Sequence, residues 1–228
     1  MSTQPSTPPL SLTERRKLAT QLEIARAAAE LFTAHGTDGT TAEAIAARAG
    51  VALRTFYRYF RTKQDAVGPL LAVGGDRWRA LLAAAEPGAA LPDALHGAIS
   101  EALAVPDDTA ADGLRQTRGL LRAAVDDPAL RAVWYRVNQE SEDKLRPVVA
   151  ELAGAGTGAG AGAGAGPEQL AVRVAAAAAT AAIRIALETW AQTDADVTGP
   201  GSPADLAARC LRELMGGTGP LTRTETPD

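Results

Sequence analysis

The residues that most constrain this chain are TTAEAIAARAGVALRTFYRYF at 40–60. Thr40-x-x-Glu43 is a capping-box pattern, in which a hydroxyl and a carboxylate satisfy the free N–H groups that open a helix. Gly50-Val51-Ala52 then supplies a tight turn, and Leu53 to about Tyr59 reads as a second short helix. Two short helices joined by a glycine-containing turn make a helix-turn-helix. Ile45 and Val51 are expected to pack inward and set the angle between the two helices. Phe56 and Phe60, four residues apart, share the inward face. Tyr57 and Tyr59 cannot both join them, so at least one is expected at the surface with Arg54, Thr55 and Arg58.

The rest of the chain reads as helix upon helix, with almost no alternating strand pattern, so the expected class is all-α. Ser11-x-x-Glu14 is another capping box. Behind it Leu18, Leu22, Ala25, Ala29 and Phe32 recur at helical spacing, widened by Ile24, Ala28 and Leu31, and Gly36 is a C-terminal stop. Thr62-x-x-Asp65 is expected to cap a fourth helix reaching about Ala85, with Gly68-Pro69 threatening to bend it. Further helices are placed near 92–105, 109–125, 128–152, 167–193 and 203–215. Pro92, Pro128, Pro167 and Pro203 suit a first helical position, Ser202 is a candidate N-cap, and Pro147 is expected to kink or break its helix. This divides the chain into a disordered tail at 1–10, a helix-turn-helix domain at 11–75, a larger helical domain at 76–216 and a disordered tail at 217–228. The alternating glycine run at 154–166 reads as a flexible connector within the larger domain. It is no phosphate loop: GxGxxG needs one glycine three positions after another, which a period of two never supplies.

Charge and chemistry narrow the function. Net charge is −4, yet residues 13–65 hold nine basic side chains against six acidic ones. A small basic module on an acidic body is an electrostatic footprint for nucleic acid. Cys210 is the one cysteine, so neither an internal disulfide nor a cysteine-based metal site is expected. His35 and His96 lie in no motif, and Cys210 shares an apolar periodicity with Leu206, Leu211 and Leu214 that suggests packing. There is no triad spacing, metal cluster or paired-carboxylate motif, so an enzyme, a metal and a cofactor are not expected. The polar, proline-rich N-terminus lacks the apolar run of a signal peptide. The most apolar stretch, Leu170 to Leu187, carries Arg173 and Arg184 and makes a poor membrane span. A cytoplasmic protein without a membrane partner is the expectation.

Four of the nine aromatic residues fall within Phe56–Phe60. One reading is a core aromatic cluster with solvated arginines. The other is a recognition helix in a major groove, where arginine pairs with guanine and threonine meets a thymine methyl. In that reading Lys63, opening the next helix, holds a phosphate.

The long first helix ending LFTAHG, then TTAEAIAARAGV, TFYRYF and TKQDAV, resembles the TetR family of bacterial repressors across roughly residues 13–75. The resemblance implies three DNA-binding helices, a connecting fourth helix and a larger helical ligand domain. It implies that Thr41 and Lys63 contact phosphates, that residues 52–57 enter the major groove and that Tyr59 lies beside the backbone. The expected DNA-binding set is therefore Thr41, Ala52, Leu53, Arg54, Thr55, Tyr57, Arg58, Tyr59 and Lys63. Ala52 stands where the family often has a capping serine, and Leu53 where polar residues are common. The C-terminal part, through PALRAVWYRVNQ and the helix ending LETWA, looks like the acyl-CoA-responsive, mycofactocin-regulator-like branch. Candidate ligand residues are Trp134, Tyr135 and Asn138, against plain core packing, and Arg118 and Arg122, against a solvated face. Trp78, Trp134, Tyr135 and Trp190 are the aromatics available to line an apolar pocket. The expected protein is a homodimer built on 167–193 and 203–215. It is expected to repress from a palindromic double-stranded DNA operator until an apolar or acyl-type ligand, an acyl-CoA or fatty acid, releases it.

Overall fold

The computed structural model describes residues 11–86, 89–154 and 167–216. The tails expected at 1–10 and 217–228, and the glycine connector beyond Gly154, lie outside the described residues. Among those residues every regular element is helical: α1 Leu12–His35, α2 Ala42–Arg48, α3 Leu53–Tyr59, a 3-10 turn at Asp65–Val67, α4 Gly68–Ala83, α5 Leu91–Ala102, α6 Asp108–Ala123, α7 Pro128–Leu152, α8 Pro167–Ala191 and α9 Pro203–Gly216. The fold is all-α. Two compact units divide between Leu70 and Leu71, inside α4, where the sequence placed the boundary after residue 75.

The first unit begins with the capping box read from the sequence. The Ser11 N–H donates to Glu14 Oε2 at 2.8 Å, and the Glu14 N–H donates to Ser11 Oγ at 3.2 Å. This reciprocal pair lowers the Glu14 pKa below its ordinary value, with the Lys17 charge adding a smaller push in the same direction. α1 ends where Gly36 turns left-handed, at φ 70, and its N–H returns to the Phe32 carbonyl at 3.0 Å. Gly50, at φ 67, does the same for the turn between α2 and α3. Ile24, Phe32, Ile45, Phe56 and Val67 are fully buried and draw α1, α2, α3 and the 3-10 turn together. Burying a side chain such as Phe56 stabilises the unit by about 1.5–3 kcal/mol. Leu18, placed on the inward face by its spacing, is 51% exposed, because buried residues of α1 begin only at Ile24.

Two prolines behave differently from expectation. Thr62 and Asp65 do form a local cap, with the Asp65 N–H 3.1 Å from Thr62 Oγ1, but they open the 3-10 turn rather than α4. Gly68-Pro69 then begins α4 instead of bending it, and at that position the missing proline N–H would have had no helical partner anyway. Pro147 sits inside α7, which nonetheless runs to Leu152. The flanking Leu145 and Val149 are fully buried, so packing holds the helix through the lost hydrogen bond.

The second unit is organised on α8, against which α9, α7 and α6 pack. By length and composition alone α8 is apolar enough to cross a membrane. Its Ala176, Ala179, Ala182, Ala186 and Trp190 are fully buried in the protein's own core. Alanines there let neighbouring helices approach closely. One apolar cluster gathers Trp78, Leu82, Leu95, Ile99, Leu145 and Val149 against the alanines of α8. A second gathers Leu121, Trp134, Leu187, Trp190 and Val197. Ser202 caps α9 as expected, accepting from the Asp205 N–H at 3.3 Å, while Asp205 Oδ2 accepts from the Gly201 N–H at 2.8 Å.

Candidate nucleic-acid interface

α3 is amphipathic in a short span. Phe56 is fully buried and stacks edge-on against Tyr57, centroids 5.3 Å apart, and obliquely against Phe60 at 5.6 Å. With the inner face so occupied, Arg54, Tyr57 and Arg58 are exposed, Tyr57 by 53%. Leu53, Thr55 and Tyr59 are half-buried at the flanks. Arg58 Nη2 donates to the Tyr59 hydroxyl at 3.2 Å and its guanidinium lies 4.8 Å from the Tyr59 ring centroid. The pair forms a cationic, hydroxyl-bearing corner at the end of α3.

Thr41, rather than the expected Thr40, is the N-cap of α2: its Oγ1 accepts from the Ala44 N–H at 3.1 Å and it is exposed, while the buried Thr40 hydroxyl is turned back to the Gly36 carbonyl at 2.8 Å. α2 is tied to α1 by Arg48, whose Nε and Nη2 reach Glu30 Oε2 at 2.9 and 2.7 Å. Both side chains are exposed, so this pair adds little stability. Ala52 occupies the N-cap of α3 with extended backbone and no side-chain bond to the helix. Lys63 faces inward: its Nζ donates to the carbonyls of Thr37 at 2.7 Å and Thr40 at 3.0 Å. Nothing in the sequence marked those two carbonyls as partners.

The candidate ligand residues of the second unit fall into two groups, both engaged within the protein. Trp134 is buried, and its Nε1 donates to Glu188 Oε1 at 2.7 Å. Arg184 Nη1 holds the other oxygen of Glu188 at 3.0 Å. Asn138 donates to the Trp134 carbonyl at 2.9 Å, one turn back. Tyr135 is 49% exposed, with Arg184 5.7 Å from its ring centroid. Arg118 and Arg122, on α6, reach the C-terminal end of α8. Arg118 donates to the Ala195 carbonyl, and Arg122 Nε and Nη2 donate to Ala191 and Thr193 carbonyls at 2.7 and 2.9 Å. Cations there complement the negative end of the α8 dipole. Burial, and next the Arg122 charge, depress the Arg118 pKa from its ordinary value, with Asp194 and Asp196 opposing. Arg118 is half-buried and Arg122 exposed, and both are engaged by backbone carbonyls. Trp78 lies in one apolar cluster, and Trp134 and Trp190 lie in the other.

A cavity of about 370 Å³ lies elsewhere, between α8 and α9, lined by Ile185, Thr189, Leu206, Cys210 and Leu214 with Arg209, Arg212 and Glu213 at hand. Cys210 is half-buried there rather than packed away, and Leu214 is 40% exposed. Burial raises the Cys210 pKa, Arg209 pulling it down and Glu213 up by less. Among the described residues no cluster of histidine, cysteine or carboxylate side chains has the arrangement of a metal site.

Residues 24–67, which span most of the first unit, match the family described as bacterial regulatory proteins, tetR family. The chain is 32% identical over 149 residues to the HTH-type transcriptional regulator TcmR of Streptomyces glaucescens, a stretch that covers 63% of this chain and 64% of that protein. Among solved structures, a TetR-family transcriptional regulator from Syntrophomonas wolfei superposes with a TM-score of 0.58 at 14% identity, covering 90% of this chain and all of that one, 100%. The TetR-family repressor FadR of Thermus thermophilus, crystallised with lauroyl-CoA, superposes with a TM-score of 0.50 at 21% identity, covering 91% of this chain and 99% of that one. At such identities the structural likeness speaks for the fold, an N-terminal helix-turn-helix followed by a helical domain, and it agrees with the sequence match. Over residues 24–67 the chain is similar to the TetR family of bacterial regulatory proteins.

Proposed function

We propose that this protein is a DNA-binding transcriptional regulator, and that it acts as a repressor in the cytoplasm. The observation that carries the reading is α3, which buries Phe56 on one side and presents Arg54, Tyr57 and Arg58 to solvent on the other. A helix so held fits a major groove, where Arg54 and Thr55 read base edges and Tyr57 packs on them. Thr41, whose hydroxyl hydrogen remains available as a donor, and the Arg58–Tyr59 corner hold flanking phosphates. Ala52 and Leu53 let the backbone approach the groove without adding polar readout.

A two-fold partner supplies the second half-site. The surface that suits it is the α8–α9 groove, with Leu170 and Val174 exposed further along α8 by 61% and 58%. Arg209 and Glu213, four apart on α9, offer both charges to an identical surface. Release from the operator follows when an effector binds better to a form whose recognition helices no longer fit the DNA. An acyl-CoA or fatty acid is the class of effector we favour, by likeness to the fold that holds lauroyl-CoA in the Thermus protein. Arg118 and Arg122 add no support to it, since α8 and the loop after it already occupy them.

Selection of bound duplexes from a random pool tests the reading. It should return a palindrome with half-sites spaced by whole helical turns, and light scattering should give a dimer. Recovery of no common sequence would contradict the proposal.

A further inference from the structure

Lys63 has a place in the first unit that its position beside the recognition helix does not suggest. Its ammonium is half-buried and donates to two carbonyls, Thr37 O at 2.7 Å and Thr40 O at 3.0 Å. Both threonines are buried and form the turn between α1 and α2. The Thr40 N–H donates to Thr37 O at 3.2 Å, and the Thr40 hydroxyl donates to Gly36 O at 2.8 Å. The next residue, Thr41, is the N-cap of α2. The side chain that follows α3 therefore holds the turn that precedes α2, closing the helix-turn-helix from outside.

An ammonium has three N–H donors, and two are used here. We propose that Lys63 is a positioning residue of the DNA-binding unit. Its ammonium fixes the entry of α2, and through α2 the attitude of α3, and one N–H is left for a phosphate. This rests on the reading that α3 binds DNA. It separates from a plain phosphate contact in what its loss should change. A phosphate contact contributes equally on every sequence, so removing it lowers the salt slope by about one and leaves the preference for operator over random DNA intact. A positioning role instead carries sequence preference, because base contacts depend on where α3 is held.

The test compares Lys63→Met and Lys63→Arg with wild type, and uses Lys17→Met as a control for loss of one exposed charge. Amide exchange in the DNA-free protein reads the positioning directly. Lys63→Met should lower protection at Ala44, Ile45 and Ala46 about tenfold, and Lys63→Arg should restore most of it. The affinity ratio between a duplex selected with wild type and a random duplex should fall about tenfold in Lys63→Met, and should hold in Lys17→Met. Should Lys63→Met fail to fold, wild type alone decides. With labelled lysine, the Lys63 ammonium protons should exchange with water more slowly than those of Lys17. Equal exchange for the two ammonium groups, or a Lys63→Met protein with wild-type protection and an unchanged ratio, would overturn the proposal. If wild type prefers no duplex at all, the DNA reading fails, and the exchange measurements still decide whether Lys63 closes the unit.

Discussion

The guanidinium of Arg118 lies over the indole of Trp190, 3.7 Å from the ring centroid, and both side chains donate to one carbonyl, that of Ala195. Arg122, one turn further along α6, continues the ladder onto the Ala191 carbonyl that ends α8 and the Thr193 carbonyl just beyond it. The end of α8 and the loop leading to α9 are thus fastened from a third helix.

Replacing Arg118 with leucine should lower the free energy of unfolding by about 1–3 kcal/mol, from the lost cation–π contact and carbonyl bond. Arg118→Lys should recover only part, because a compact ammonium does not stack on the indole. Urea unfolding monitored by circular dichroism measures both, and an unchanged midpoint in Arg118→Leu would contradict the role given to the stack.

Ala52 leaves the start of α3 uncapped. Its backbone already has the extended geometry of an N-cap, φ −67 and ψ 147, so serine fits without rearrangement. Ala52→Ser should stabilise the protein by about 1 kcal/mol, seen as a higher denaturation midpoint. A neutral or destabilising result would show that the N–H groups of α3 are satisfied in some other way.

The capping box of α1 should respond to acid in a defined sense. The Glu14 pKa is lowered from its usual 4.5 in the folded state, first by the Ser11 hydrogen bonds. Its contribution is therefore present above the unfolded-state value and lost as pH falls through the depressed folded value. The Ser11 amide resonance should titrate with a midpoint below 4.5, and that titration should vanish in Glu14→Gln. A midpoint at or above the usual value would mean that the box does not form in solution.

Cys210 lines the α8–α9 groove with its pKa raised, chiefly by burial. At neutral pH it should be alkylated by iodoacetamide more slowly than an unhindered cysteine, with a rate that climbs only above the ordinary thiol range. If the groove is the seam between two copies, dilution to the monomer should speed the reaction. A rate equal to that of a free thiol would place the residue in open solvent.

Much of the fold was legible because helix ends carry local chemistry. Ser11 with Glu14, Gly36, Pro128, Pro167 and Pro203 each act on backbone groups within a few residues, and each marks the boundary its type suggests, while at α2 the cap falls on Thr41, one residue past the expected Thr40. The exposed side of α3 was legible for a related reason: Phe56 and Phe60 claim the inner face, which leaves Tyr57 outside. Pro147 does not break α7, because its own effect is local while the packing of Leu145 and Val149 is not. Leu18 was misleading because helical periodicity tells which face is apolar, not how far the neighbouring helices reach. The partners of Arg118, Arg122 and Lys63 are backbone carbonyls far along the chain, and carbonyls leave no mark in a sequence. The spacing of the two arginines could show that they share a face of α6, but not that the end of α8 lies against it.

The central claim is that α3 reads DNA, and Arg54 tests it most directly, being exposed at the first turn of that helix with Phe56 anchoring the opposite side. Fluorescence anisotropy should be measured for wild type and Arg54→Ala on the selected duplex, on its single-base variants and on a random duplex, each across a range of salt. Arg54→Ala should lose about 1–3 kcal/mol on the selected duplex and discriminate less at one base pair in each half-site. Its affinity for the random duplex and its salt slope should change far less. Equal losses on every duplex would reduce Arg54 to a phosphate contact, and identical binding by both proteins would remove α3 from the interface.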